Sequence, residues 1–445
     1  MLTQLTLRNF KIWKSTGRIE LAPVTLLLGT NSSGKSSLIQ SLLLVRQTVN
    51  AADDSVDLNL GSHEAGDTVE LGQFKDVLCH HGSSLKIGIE FRWSPTGRPG
   101  EGHTFSASYK KGKNGEPLLE SLRMGLEGGN AWWVTHRKDK VYKFEHTSKP
   151  SASWQGVEFR PARSFELTSS ALAALGSDFF ELKKGSNLLV EELRKITYLA
   201  PLRQVARRTY FWNGQIPTTI ADDGGRAIDA LIASGVAYNQ SRRKGLAIHS
   251  PMTDLILGVS QWLKAMDLAD EVEVRQLGRS SLYEILLLKG GEASNLRDVG
   301  VGVSQVLPVI IAALHARPGH IVILEEPESH LHPLAQAVLA ERLSLVSFER
   351  NVQFVLETHS EHMFRRLQTL IAKRDLLPDQ CSLFFVEKDN GQANIRRLDV
   401  DEFGKVRNWP DKFFGDTLGE TRTQAELAIR RAKAMREAEN GVLPS

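Results

Sequence analysis

The chain has 445 residues, 41% of them hydrophobic and 24% charged, which is ordinary for a water-soluble protein and long enough to bury a large core. No apolar run approaches a membrane span, the N-terminus opens directly on a strand-like segment rather than a signal peptide, and two cysteines are too few for a disulfide framework or a zinc site, so a cytoplasmic protein is expected with no membrane partner. A net charge of +3 neither demands nor excludes nucleic acid.

The first informative element is a short apolar strand over 24–28, followed at 29–36 by Gly29, Thr30, Asn31, Ser32, Ser33, Gly34, Lys35 and Ser36. This is a complete G-x-x-x-x-G-K-[ST] phosphate-binding loop, and an apolar helix follows it from Ser37 to Arg46. Strand, glycine loop and helix are the order the chemistry needs. Gly29 and Gly34 let backbone wrap phosphate, successive N–H groups and the helix N-terminus supply positive potential, Lys35 reaches the β- and γ-phosphates, and Ser36 offers a hydroxyl to Mg²⁺.

Short β-like segments then occupy 85–93, 104–110, 118–124, 131–136, 141–145 and 156–160, separated by Gly, Pro, Asn and Ser turns. Residues 166–195 and 226–268 read as helical, and Tyr198 to Arg203 as a buried strand leaving into an arginine-bearing loop. No heptad pattern is long enough for a coiled-coil arm. Two basic clusters, Arg203, Arg207, Arg208 and Arg242, Arg243, Lys244, are either solvated faces or contacts to a DNA or RNA backbone.

Residues 298–308 form a glycine-rich turn leading into an apolar helix, with Gly302, Ser304 and Gln305 at or near the helix start. The strand 321–324 ends in two carboxylates, Glu325 and Glu326. The first is placed to hold the shell of a metal and the second to polarise an attacking water. A further strand, 352–356, leads to His359, where polar residues point into the ligand crevice of a parallel sheet. Residues 383–387 and 395–398 read as paired strands ending that sheet. Glu387 and Asp399 to Asp401 lie too close together, and too near the end, for a metal-dependent nuclease domain of the Toprim kind.

In this order the motifs resemble the SMC/RecF/OLD-like branch of ABC-type ATPases. The likeness covers roughly 1–80 and 290–420. Leu5 to Lys11 looks like that branch's first strand. Val301-Gly302-Val303-Ser304-Gln305 is similar to the ABC signature, with Gly302 in place of the family serine and Ser304 in place of a glycine. Glu325 stands where ABC proteins usually have Asp. Glu326 to Pro333 and Thr358 to His362 resemble runs of OLD-like members, and Asp401 to Phe414 resembles a C-terminal domain of unknown function on bacterial ATPases, among them PtuA proteins of anti-phage systems.

The resemblance implies an α/β fold: an ABC-type P-loop head with a parallel core sheet and an antiparallel subdomain, an inserted helical region, and no long coiled coil. It implies an N-terminal lobe over 1–160, a mainly helical insertion over 161–290, a C-terminal lobe over 291–400 and a tail domain over 401–445. ATP and Mg²⁺ are the implied cofactors. The P-loop through Ser37, with Gln73 as a Q-loop residue, would bind them, Ser36, Gln73 and Glu325 would serve the metal, and Glu326 and His359 would serve catalysis. The signature residues Gly302, Ser304 and Gln305 would face the nucleotide of a second subunit, which implies a homodimer or higher even oligomer. ATP hydrolysis would gate a separate effector, a nuclease, in defence against phage. The alternative is a nucleotide-gated DNA clamp for repair or maintenance. With no effector chemistry of its own, the chain would dock that partner through 160–290 or the tail, where Trp409, Phe413 and Phe414 and a helix face of Ala425, Ala428, Ile429, Ala432 and Met435 stand out.

Overall fold

A computed structural model describes residues 1–62, 66–82, 84–94, 102–126, 131–136, 142–146, 161–166, 180–245, 250, 253–389, 391–409 and 426–431. The expected strand 156–160, residues 167–179 of the expected helix 166–195, and Phe413, Phe414, Ala425, Ala432 and Met435 lie outside the described residues. Among the described residues no helix is long and apolar enough to cross a membrane.

Three sheets organise the chain. Strands β1 (Leu2–Phe10), β2 (Trp13–Ser15), β3 (Ile19–Glu20), β5 (Lys86–Trp93), β6 (His103–Lys111), β7 (Pro117–Leu126), β8 (Ala131–His136) and β9 (Tyr142–His146) form an antiparallel sheet, ordered β2-β1-β5-β6-β7-β8-β9 with β3 beside β1. The five described β-like segments of the sequence therefore all fall in one sheet. The core sheet contains β4 (Val24–Gly29), β10 (Ile196–Leu199), β15 (Ile321–Glu325), β16 (Gln353–Glu357), β17 (Cys381–Asp389) and β18 (Gln392–Arg397), in the order β10-β15-β16-β4-β17-β18. Its pairings are parallel except for the β17–β18 hairpin at its edge.

The core strands read as continuous apolar runs because both faces are covered. Leu26, Leu28, Val322, Leu324, Phe354 and Leu356 point to one side, into a cluster built with helices α4 (Gly225–Arg243), α5 (Asp254–Ala265), α6 (Val301–His315), α7 (Pro333–Arg350) and α8 (Glu361–Lys373). Leu27, Ile321, Ile323, Val355 and Val386 point to the other, into a cluster shared with α1 (Lys35–Asn50), α3 (Phe180–Arg194) and the antiparallel sheet. A one-turn helix, α2 (Phe74–Val77), completes the set used here.

The stretch 161–290, expected to be mainly helical, carries strands beside its helices. Its helices α3, α4 and α5 are joined by β10, which belongs to the core sheet, and by β11 (Tyr210–Phe211), β12 (Glu271–Gln276) and β13 (Leu282–Lys289), which pair in a small sheet with β14 (Glu292–Asn295). The expected helix 226–268 is two helices. Gly245, with φ 64°, follows the end of α4, and Ser250 and Thr253 form the turn that starts α5, with Pro251 between them in the sequence. Periodicity continued across the break and hid it.

One backbone contact fixes where the core sheet ends. Gly29 closes β4 with φ 142°, and a Cβ built on it would lie 2.0 Å from the Val386 carbonyl oxygen on β17. Only glycine fits this position. Gly29→Ala is expected to lower stability by about 2–3 kcal/mol, read as a shift in the urea midpoint. Gly17→Ala, also at positive φ but with no atom within 4 Å, is expected to cost about 1 kcal/mol. Equal shifts for the two variants would show that the Val386 contact does not set the loop.

Candidate functional site

The C-terminal ends of β4, β15 and β16 open into a cleft of about 370 Å³ lined by Lys11, Ile12, Asn31, Ser32, Ser33, Gly34, Lys35, Ser36, Ser37, Glu326, Glu357 and His359. The loop between β4 and α1 forms one wall. Gly34 takes φ 116° and gives its carbonyl to the Trp13 indole N–H at 3.3 Å. A Cβ there would meet Ile12 at 2.9 Å and the Trp13 ring at 3.1 Å. The turn after β1 thus buttresses the loop. Lys11, at φ 51°, donates to Gln40 Oε1 at 2.7 Å, and burial holds its ammonium below its usual pKa. Sequence reasoning placed Lys11 only in a first strand. The signal that it lines the cleft is a left-handed turn no pattern rule anticipates.

Lys35 is almost fully buried. Its Nζ donates to the carbonyls of Gly29 and Thr30 at 3.1 and 2.9 Å and lies 3.8 Å from Glu357 Oε1. Burial lowers its pKa, and Glu357, Glu326 and Glu325 oppose that shift. Ser36 Oγ donates to the same Glu357 oxygen at 3.0 Å. The ammonium, the hydroxyl and the N-terminus of the 16-residue helix α1 converge as a polyanion site requires.

Opposite this wall stand the acids. Glu325, the last residue of β15, is in register with Glu357, the last of β16. Burial, with Glu357 the next contributor, pushes Glu325 up to about 7, against the stabilising bond that its Oε1 accepts from the Tyr198 hydroxyl at 3.0 Å. Glu326 takes φ 44°, donates its N–H to the Glu357 carbonyl at 2.8 Å, and accepts from Ser329 Oγ at 3.1 Å. The left-handed backbone turns its carboxylate into the cleft, next to His359. Glu328 is buried, and its Oε1 accepts from Thr358 Oγ and, at 3.1 Å, from the His359 N–H. Partial burial and the Lys35 ammonium hold the His359 imidazole below its usual pKa. A carboxylate and an imidazole facing a phosphate-sized cradle can orient a water and sense a terminal phosphate.

Arg203 corrects the expectation of a basic cluster on the surface. It is buried, and it donates through Nη2 to the Glu325 and Glu326 carbonyls at 2.8 and 3.0 Å and through Nη1 to the Gln305 carbonyl at 3.3 Å. Burial lowers its pKa to about 10, and Glu328 and Glu326 oppose that shift. Arg208 is exposed and pairs with Asp298 at 2.6 Å. Arg207, Arg242, Arg243 and Lys244 are exposed.

The structure does not bring every expected residue into this cleft. Gln73 is exposed, its N–H bonded to Asp76 Oδ2 at 2.8 Å ahead of α2, and it is not among the lining residues. Gly302, Ser304 and Gln305 sit in the first turns of α6, and none of them lines the cleft. Gly302 is explained by packing, since a Cβ there would lie 2.5 Å from the His330 carbonyl. Ser304 Oγ donates to Val301 O at 2.9 Å, and Val301 beside it is exposed. Missed by sequence reasoning were Glu357 and Tyr198, ordinary residues until β16 and β10 pair with β15, and Glu328, in the turn after β15, which reaches Thr358 and His359.

The tail is partly docked. Val406 belongs to the core cluster, and Trp409 packs edge-on against Phe364 with ring centroids 5.6 Å apart and lies under the Arg365 guanidinium. Ile429, by contrast, is 68% exposed.

Comparison with known proteins agrees with this geometry. The family described as "AAA domain, putative AbiEii toxin, Type IV TA system" matches residues 24–363, and a family described as "Protein of unknown function (DUF3696)" matches 376–424. No curated protein matches the sequence. Similar solved structures include an Smc head bound to the C-terminal winged-helix domain of ScpA (12% identity, 90% of this chain and 98% of that one, TM-score 0.44). Others are the SMC head domain of Thermotoga maritima (15%, 90% and 99%, 0.41) and a Pyrococcus furiosus Smc head with extended coiled coil bound to the C-terminal domain of ScpA (9%, 89% and 96%, 0.44). The first family spans more than half of the chain and nearly all of the cleft, and the protein belongs to it: its head is an ATPase-type AAA domain.

Proposed function

We propose that the chain hydrolyses ATP as one half of a homodimer that closes around Mg²⁺ and ATP, and that this cycle gates a separate effector, a nuclease, in cytoplasmic anti-phage defence. The observation that supports the dimer is that the expected site residues divide within one chain. Lys35, Ser36, Glu326 and His359 meet in one cleft, while the start of α6 lies outside it with Val301 exposed. A second copy would bring its own α6 to this cleft and complete both sites at once. In this reading the loop 29–37 holds the phosphates, Glu325 and Ser36 serve the metal, Glu326 is the base and His359 the sensor. The lobes divide near 160, 290 and 400. A toxin–antitoxin family description supports a two-component setting, and the likeness of the tail to that of defence ATPases supports a nuclease partner.

Glu326→Gln keeps shape and removes the base. It is expected to bind ATP, lose turnover by about 10²–10⁴-fold and accumulate as an ATP-bound dimer by light scattering, while Lys35→Ala loses ATP binding. Turnover at the wild-type rate in Glu326→Gln would place the base elsewhere.

Ser304→Arg and Lys35→Ala should each be inactive alone. Mixed, with subunit exchange verified, they should regain part of the wild-type activity, because one interface then pairs an intact loop with an intact α6. A mixture as inactive as its parents would mean each chain builds its site alone.

The effector is tested by ending the chain after Trp409, which keeps Val406 and the Trp409–Phe364 contact. The shortened protein should hydrolyse ATP yet lose a co-purifying nuclease and protection against phage. DNA cleavage by the purified full-length chain alone with Mg²⁺ would remove the need for a partner.

A further inference from the structure

We propose that Glu357 is a ligand of the divalent cation that accompanies the nucleotide, in the place expected of Gln73; the inference rests on the ATP-binding reading above. The register of β15 and β16 sets Glu357 directly beside Glu325, on strands about 4.8 Å apart. Both follow residues Val355 and Ile323 by two, so both project from the face of the sheet that α1 covers. There Glu357 Oε1 accepts from the Ser36 hydroxyl at 3.0 Å, the hydroxyl that a phosphate-binding loop of this type offers to Mg²⁺.

The second carboxylate oxygen carries the inference. Glu357 is 5% exposed, and its Oε2 is buried without a hydrogen-bond partner. The remaining charge nearby is mostly negative: Glu325, Glu326 and Glu328 surround it, with Lys35 the cation at 3.8 Å. An unpaired buried carboxylate oxygen is costly unless a cation or donor meets it. Lys35 does not meet that oxygen: its Nζ donates to the Gly29 and Thr30 carbonyls, and its 3.8 Å approach to Glu357 is to Oε1. Mg²⁺ suits the setting. It is a hard ion that takes oxygen ligands and is commonly held by one or two carboxylates plus substrate phosphates. Ser36 Oγ and Glu357 line the cleft and offer such donors, and Glu325 stands beside Glu357 in the register of the two strands. Gln73, exposed ahead of α2, is not among the residues at this position.

The experiment measures affinity for an unhydrolysable ATP analogue twice, with Mn²⁺ and with EDTA, in the full-length wild type, Glu357→Gln and Glu357→Asp. A cation ligand affects the two affinities in opposite directions. Glu357→Gln should bind the metal-free analogue as well as or better than wild type, because a negative charge near the phosphates is gone. Its Mn²⁺-dependent gain should fall at least about tenfold, and Glu357→Asp should retain part of that gain. A gain in Glu357→Gln within twofold of wild type would overturn the inference. So would loss of both affinities in both variants, which would make Glu357 a support of the loop. A wild-type chain that binds no analogue under either condition would instead sink the underlying reading.

Discussion

The head is arranged around crowded negative charge. Two adjacent parallel strands end in register on Glu325 and Glu357, and the next turn adds Glu326 and Glu328. Against these four carboxylates the described site sets two buried cations, Lys35 and Arg203. Burial is the largest cause that raises the pKa values of Glu325, Glu328 and Glu357, and neighbouring carboxylates add to it. An acid whose pKa is raised by folding destabilises the folded state as it ionises. For Glu325 that loss begins above its unfolded value of 4.5 and grows as pH rises through about 7. Anything that binds only the folded chain and brings positive charge offsets this cost. A metal ion that arrives with a polyanion satisfies both walls together, since the loop side offers Lys35 and the N-terminus of α1. Under the proposed reading the site is poorly balanced alone and better balanced when loaded, which would favour a change of state on binding.

Arg203 gives that change a route. A guanidinium is a rigid planar fork, and this one spans two elements. One arm holds the carbonyls that end β15, and the other holds the Gln305 carbonyl in α6. A shift of Glu325 and Glu326 toward a cation moves the same plane that α6 hangs from. Gly302 adds a second tie, packing its Cα against the His330 carbonyl in the turn that follows the acids. Under the proposed reading α6 serves the partner's nucleotide, so these ties run from one nucleotide site toward the other.

Much of this was legible in the sequence where chemistry is local. The loop 29–36, the acids after β15, the five described antiparallel strands and the closing β17–β18 hairpin all follow from short patterns whose physics lies within a few residues. What could not be read depended on pairing across the chain. Glu357 gains its meaning only when β16 aligns with β15, and Tyr198 only when β10 pairs on the far side of β15. Arg203 sat in a run of arginines, and nothing in that run tells that one of them is buried under three carbonyls while its neighbour Arg208 reaches Asp298 in solvent. The small sheet within 161–290 was not read for a related reason. Three of its strands are short or alternate with exposed polar residues, and they are held by sheet partners rather than by local propensity.

The same distinction explains the tail. Asp401 to Trp409 is bound to the head by Val406, by the Gly404 carbonyl that accepts from Gln368, and by Trp409 over Phe364 and Arg365. The Gly404 and Trp409 contacts fall on α8, the helix that begins two residues after His359. Ser360 caps that helix, accepting from the Met363 N–H at 3.0 Å and donating to Gln336 on α7. The chain that carries His359 is thus fixed at one end by Glu328 and at the other by a helix on which the tail rests. Under the proposed reading, a motion of His359 toward a terminal phosphate would pull on α8. The anchored start of the tail, to Trp409, would follow. In this arrangement the tail needs no chemistry of its own to report the state of the cleft.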